Sequence, residues 1–257
     1  MIKAIFLDFD GTTFSHSCNA IPDSTVDAIK KAQANGIKVF LCTGRAPSEL
    51  LWFDTKGIEF DGGIFTNGQL VADSKGNILI EHLIEGELKD RVVSMFNEKK
   101  ISTYMSTEYG LYLNFVNNAC IKCQAAVSSI VPQVSEYKGE KIYMASAFYD
   151  NEETYNEIIK LQDIADITQW TQGAVDIVPC GICKSFAIKE LIDIYKIDLS
   201  QTMAIGDGEN DIAMVEECEV GIAMGNSIDE LKQCANYVTN HIDDDGIYNA
   251  FKHYNLI

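Results

Sequence analysis

Strand and helix alternate at both ends of this chain, and a different pattern interrupts them in the middle. Residues 3–8 (KAIFLD), 37–42 (IKVFLC) and 62–66 (GGIFT) are short apolar runs that predict buried strands. A helix is expected over 24–35, with Asp23 as its N-cap after Pro22 and Gly36 ending it. Another is expected from about Pro47 to Phe53. The last third resumes the rhythm. Apolar side chains at 187, 188, 191, 192 and 195 form one stripe of a helix over 184–196. Strands follow at 202–206, 219–224 and 237–239, with helices at 209–217, 227–234 and 247–254. Such alternation predicts an α/β fold whose parallel sheet is covered on both faces.

The middle is of another kind. Residues 70–80 carry a hairpin signal, with Asp-Ser-Lys-Gly-Asn as the turn. Then come a helix at 87–99, two aromatic-rich strands broken by Gly110, and a helix at 119–130. A strand in KIYMASAF, a helix at 152–162 and a strand pair in ITQWTQGAVDIVP complete an α+β set. The expectation is a core of 1–82 and 182–257 with an inserted domain of 83–181, joined by two linkers able to act as hinges.

Composition narrows the function classes. The 257 residues have a formal charge of -18, which repels nucleic-acid backbones. A phosphorylated substrate would therefore need a locally positive site, and a bound metal ion supplies one. No apolar stretch is long enough to span a bilayer, and the opening apolar run is short and ends in carboxylates, unlike a signal peptide. The cytoplasm is the expected location. The eight cysteines include two CxxC pairs, Cys120/Cys123 and Cys180/Cys183, a spacing that zinc sites use. Reduced, partly buried thiols account for all eight more simply.

The polar groups that carry chemistry fall where strands end. Asp8 and Asp10 follow the first strand, Thr43 the second and Asn67 the third, while Asp207 and Asp211 follow the strand at 202–206. Ligands of open parallel sheets bind at that edge. Several carboxylates at one spot repel each other, and a hard divalent cation such as Mg²⁺ resolves the repulsion. Gly11 and Thr12 allow a tight turn with N–H groups facing phosphate oxygens. Thr43 can donate a hydroxyl, and Lys184 can add positive charge.

These residues resemble the haloacid dehalogenase superfamily, and within it the Cof-type phosphatases. DFDGTT at 8–13, Thr43 in CTGR, Lys184, and GDGEND at 206–211 match its four motifs in order, and the tail DDDGI at 243–247 resembles the end of Cof-type chains. Asp10 favours phosphatase over dehalogenase chemistry in this superfamily. The resemblance implies a Rossmann-like core with an inserted α+β cap that acts as a lid and selects the leaving group. It implies Mg²⁺-dependent hydrolysis of small phosphomonoesters, such as sugar phosphates, pyridoxal phosphate or flavin mononucleotide. Asp8 would be the nucleophile and Asp10 the general acid and base. Asp8, the Asp10 carbonyl and Asp207 would bind Mg²⁺, with Asp211 a ligand or a partner of one. Thr12, Thr43, Gly44, Asn67, Lys184 and Asn210 would surround the phosphate. With the lid built in, a monomer or weak homo-oligomer is expected.

Other readings stand beside this one. The same aspartate could serve a phosphomutase or phosphotransferase, or the site could bind a phosphometabolite without turning it over. Ser185 and Thr13 depart from the family pattern, where Gly and an aliphatic residue are usual. Arg45 could reach phosphate, reach a substrate carboxylate, or form a surface salt bridge. His16 and His82 fall near where the inserted domain joins; they could contact a substrate, but surface placement is the expectation. Tyr104, Tyr109, Tyr112, Phe115 and Trp170 are expected to pack mainly in the inserted sheet's core.

Overall fold

The computed structural model describes residues 1–257. The chain forms two compact units. The first comprises Met1–Arg45, Phe53–Ile80 and Cys183–Ile257, and the second Ala46–Trp52 and Glu81–Ile182. No helix is long and apolar enough to cross a membrane.

In chain order the elements begin with β1 (Ala4–Leu7), α1 (Asp23–Ala34), β2 (Lys38–Cys42), α2 (Pro47–Leu50), β3 (Gly62–Phe65), β4 (Leu70–Asp73) and β5 (Ile78–Glu81). Next are α3 (Gly86–Glu98), β6 (Ser102–Thr107), β7 (Gly110–Leu113), α4 (Asn118–Ala126), β8 (Ile142–Phe148), α5 (Glu152–Ile159), β9 (Ala165–Thr171) and β10 (Ala174–Pro179). Last are α6 (Lys184–Tyr195), β11 (Thr202–Gly206), α7 (Ile212–Glu217), β12 (Val220–Ala223), α8 (Asp229–Cys234), β13 (Tyr237–Val238) and α9 (Gly246–His253).

An eight-stranded sheet runs in the order β13-β12-β11-β1-β2-β3-β4-β5. It is parallel from β13 to β3, and β4 returns antiparallel. Every residue of β1 is buried, as a central strand covered on both faces requires. Phe6 stacks on Phe40 with ring centroids 5.4 Å apart. Together with Ile64, Val71, Ile188, Leu191 and Ala204 they form one core cluster. The second sheet, β7-β6-β8-β10-β9, is antiparallel throughout. Met105, Ala145, Val175 and Ile177 pack with Leu88, Val92 and Phe96 of α3.

Several local expectations shift. Pro22, not Asp23, precedes the first turn of α1, and Asp23 pairs instead with Lys56 Nζ at 2.5 Å. The helix from Pro47 stops at Leu50. The helix near 119–130 ends at Ala126, and Asn117 caps it by accepting from the Cys120 N–H at 2.7 Å. Residues 209–217 divide into a 3-10 turn and α7. Tyr104 and Trp170 pack around Phe148, but Tyr109 is exposed, because it sits at the turn between β6 and β7.

Asn114 ties the second unit together. Its buried Oδ1 accepts from the N–H groups of Thr103 and Phe115, and its Nδ2 donates to the carbonyls of Phe96 and Ile101. Asn114→Ala strands buried backbone groups, so a loss of about 3 kcal/mol is expected. Both tryptophans, Trp52 and Trp170, belong to this unit, and their fluorescence in a urea titration reports the shift.

Candidate active site

Strand order brings the motifs together. β11, β1, β2 and β3 are neighbours in parallel register, with Leu7 opposite both Ile205 and Leu41, and Cys42 opposite Ile64. The residues just past their ends are Asp207, Asp8, Thr43 and Asn67, and they line up along one carboxyl edge.

The loop after β1 is closed on itself. Thr13 and Phe14 donate their N–H groups to the Phe9 carbonyl at 2.9 and 2.7 Å, and Gly11 donates to Phe14 at 2.9 Å. Thr13 Oγ1 donates to the Asp8 carbonyl at 2.6 Å. The departure from an aliphatic residue at 13 thus supplies a buried bond that pins the turn. Gly11 has φ +78°, and a Cβ there would lie 2.2 Å from Asp207 Oδ2. Only glycine meets both demands.

Lys184 opens α6 with its side chain fully buried. Its Nζ is 2.6 Å from Asp8 Oδ1 and 2.6 Å from Asp211 Oδ1. Asp211 Oδ2 accepts from the N–H groups of Asp207 and Gly208 at 2.9 and 3.0 Å. Asp207 Oδ1 accepts from Thr12 Oγ1 at 2.7 Å. On the other side, Asn67 adopts φ +57° and donates its N–H to the Thr43 carbonyl at 3.1 Å. Its Oδ1 accepts from Asn210 Nδ2 at 2.9 Å. A Cβ on Gly44 would meet this amide at 3.0 Å. Thr43 Oγ1 accepts from the Arg45 N–H at 3.1 Å. Ser185 Oγ lies 3.2 Å from Cys183 Sγ; its place at the start of α6 is one that serine tolerates.

Asp10 has partners of its own. Its Oδ2 and Oδ1 accept from Arg45 Nε and Nη2, each at 2.6 Å, and His16 Nε2 lies 3.0 Å from Oδ1. Two surface expectations are corrected here. Arg45 is buried, with Phe53 4.4 Å from its guanidinium carbon, so it forms no surface salt bridge. His16 folds back onto Asp10 because the chain pairs Ser15 with Ala20 and curls over the motif. The sequence signal for Arg45 was its place at the end of CTGR, two residues after Thr43.

Asp8, Asp207 and Asp211 bring carboxylate oxygens within 4.8 Å of one another. Burial and then the neighbouring Asp211 push the Asp8 carboxyl well above the usual carboxylate range, against the opposing pull of Lys184. The same two causes push Asp207 up to about 7. Burial would also raise Asp10, but His16 and Arg45 outweigh it and hold that carboxyl low. One ammonium among three carboxylates leaves an excess of negative charge and an all-oxygen donor set, which fits a hard divalent cation.

The raised Asp207 fixes a sign. Between pH 4 and 7 the folded chain keeps a proton that the unfolded chain, with an ordinary value of 3.8, has released. Raising the pH through that window therefore disfavours the fold. Without metal, Asp207→Asn should melt higher than the parent at pH 8 by about 5 °C, and much less so at pH 4. Thermal melts at the two pH values check this.

The comparisons with known proteins agree with this geometry. A family model described as haloacid dehalogenase-like hydrolase matches residues 5–251. YkrA of Bacillus subtilis, which carries a provisional phosphatase name, is 30% identical over 99% of this chain and 98% of its own. Among solved structures, BT1666 from Bacteroides thetaiotaomicron, a phosphatase of the same superfamily, superposes with a TM-score of 0.89 at 28% identity, covering 100% of this chain and 96% of that one. The subclass IIB sugar phosphatase BT4131 gives a TM-score of 0.85 at 30% identity, covering 99% of this chain and 100% of that one. By its motifs, its fold and these relatives, the chain belongs to the haloacid dehalogenase-like hydrolases, among their phosphatases.

Proposed function

We propose that this protein hydrolyses small phosphomonoesters in a Mg²⁺-dependent reaction that passes through an aspartyl-phosphate on Asp8. The observation that carries this reading is the buried Asp8 carboxylate, held at one oxygen by Lys184 and faced by Asp207 and Asp211. Its second oxygen is left to attack phosphorus. In the first step the bond from Asp8 to phosphorus forms and the ester P–O bond breaks, with a proton passing from Asp10 to the leaving oxygen. In the second, water attacks phosphorus, Asp10 takes its proton, and Asp8 leaves as a free carboxylate with inorganic phosphate released.

Asp8, the Asp10 carbonyl and Asp207 would hold the cation, and Asp211 would stand behind them. Asp211 is suited to that rear position because both its oxygens are already engaged, by Lys184 and by two backbone N–H groups. When bound, Mg²⁺ offsets phosphoryl charge and polarises the phosphoryl oxygens. Thr43, Gly44, Asn67, Asn210 and the backbone at Thr12 would surround the phosphate. Thr43 Oγ1 accepts a bond from Arg45 and so keeps its own proton to donate. Lys184 orients Asp8 and offsets charge as the phosphoryl group arrives.

Sugar phosphates are the favoured substrate class, on the likeness to a sugar phosphatase at 30% identity. The inserted unit is assigned the family's cap role of choosing the leaving alcohol. Every residue invoked comes from a single chain, which suits a monomer.

Purified protein should release phosphate from 4-nitrophenyl phosphate only with Mg²⁺, lose that activity in EDTA and regain it on adding Mg²⁺. Asp8→Asn should lower turnover about a thousandfold or more. Wild-type rates in that variant would overturn the mechanism, whereas a binding protein would retain ligand in the unaltered chain and release no phosphate.

A further inference from the structure

We propose that His16 is a positioning residue for Asp10, and that Asp243 in the tail motif sets His16 through Ser15 and Ser17. The inference rests on the reading of Asp10 as the group that moves protons.

Each carboxylate oxygen offers about two lone-pair sites. On Asp10, Oδ1 meets both Arg45 Nη2 and His16 Nε2, while Oδ2 meets Arg45 Nε. With Oδ1 crowded by both groups, the side left open for a transferable proton is on Oδ2. Arg45 alone would hold the plane of the carboxylate, and His16 adds the asymmetry between its two oxygens.

His16 lies on a small loop. Ser15 and Ala20 pair at its base by N–H to carbonyl bonds of 2.9 and 3.1 Å, and Ser17, Cys18 and Asn19 are exposed. Exposed loop tips are mobile unless something fastens them. Asp243 is the fastening. Its Oδ1 accepts from Ser15 Oγ at 2.5 Å and its Oδ2 from Ser17 Oγ at 2.6 Å, on either side of His16. The inner side of the ring is set by Phe14, edge to face at 5.4 Å.

The same tail segment grips the motif loop at a second point. The Ile242 N–H donates to Asn226 Oδ1 at 3.0 Å, and Asn226 Nδ2 donates to the Gly11 carbonyl at 2.8 Å. Residues 242 and 243 thus hold the loop after β1 both at Gly11 and around His16. This gives the DDDGI segment a task in the chemistry without placing it at the reacting atoms.

The test compares two substrates that differ in their need for a proton. Phenyl phosphate has a poor leaving group, and 4-nitrophenyl phosphate a good one. His16→Ala should lower kcat about tenfold on phenyl phosphate and less than about threefold on 4-nitrophenyl phosphate, with KM little changed. His16→Gln, whose amide reaches about as far and would crowd the same oxygen, should recover most of the loss. Asp243→Ala should show the same substrate bias, and adding it to His16→Ala should cost nothing more, since the two act through one contact. Should Asp243→Ala fail to fold, Ser17→Ala at the exposed loop replaces it. Equal losses on both substrates, no loss, or multiplying losses in the double variant would overturn the proposal. Asp8→Asn separates the two layers. If that variant stays active, the underlying mechanism falls; if it is dead and His16→Ala keeps the wild-type substrate ratio, only the positioning role falls.

Discussion

The Lys184 ammonium between Asp8 and Asp211 is the contact on which the rest of the site depends. A fully buried ammonium is costly unless it is paired, and its two partners would repel each other without it. The first turn of α6 is therefore fastened to the end of β1 and to the turn after β11 by one group. Asp211 passes the constraint on by accepting from the Asp207 and Gly208 N–H groups. Asp207 in turn takes the Thr12 hydroxyl. Asp8 and Asp211 share the Lys184 clamp and Asp207 is held by Thr12, so their mutual geometry is set before any substrate arrives.

Charge is divided unevenly within a short stretch. Asp8 is pushed toward the protonated form by burial and Asp211, and Asp10, two residues later, is held ionised by His16 and Arg45. Without a metal ion these directions run opposite to the tasks proposed for the two groups: a bound cation would favour the ionised Asp8 that attack needs, and Asp10 would take up its proton only as its pairing with Arg45 and His16 loosens. The groups that face these two carboxylates come from different places in the sequence. Lys184 is distant from the motif, Arg45 follows β2, and His16 is in the loop just beyond the motif itself.

The alternation of strands and helices, the inserted α+β pattern and the four motifs were legible in the sequence because they rest on local signals: periodicity, turn residues and short spacings. The convergence of Asp8, Thr43, Asn67, Lys184, Asp207 and Asp211 was legible because strand ends in a parallel sheet share one edge. The surroundings of Asp10 were not. A histidine in an exposed-looking loop and an arginine after a Thr-Gly pair carry no local mark of a shared partner. Their meeting depends on how the chain curls between Asp10 and Ala20, which Asp243 enforces from 233 residues beyond Asp10. Helix ends were also poorly legible. Asp23 has the chemistry of a cap but spends its carboxylate on Lys56, a choice made by tertiary contact.

The vacant space at Gly11, filled by the Asp207 carboxylate, has a consequence in time. A ribosome makes Asp207 199 residues after Asp8, an interval on the order of 10 to 40 seconds at usual elongation rates. Through that interval β1 has β2 for a neighbour but not β11, and the loop after β1 lacks the carboxylates that face Asp8. The candidate site is consequently incomplete until then. It comes into being late, when the returning strand slots in beside the first.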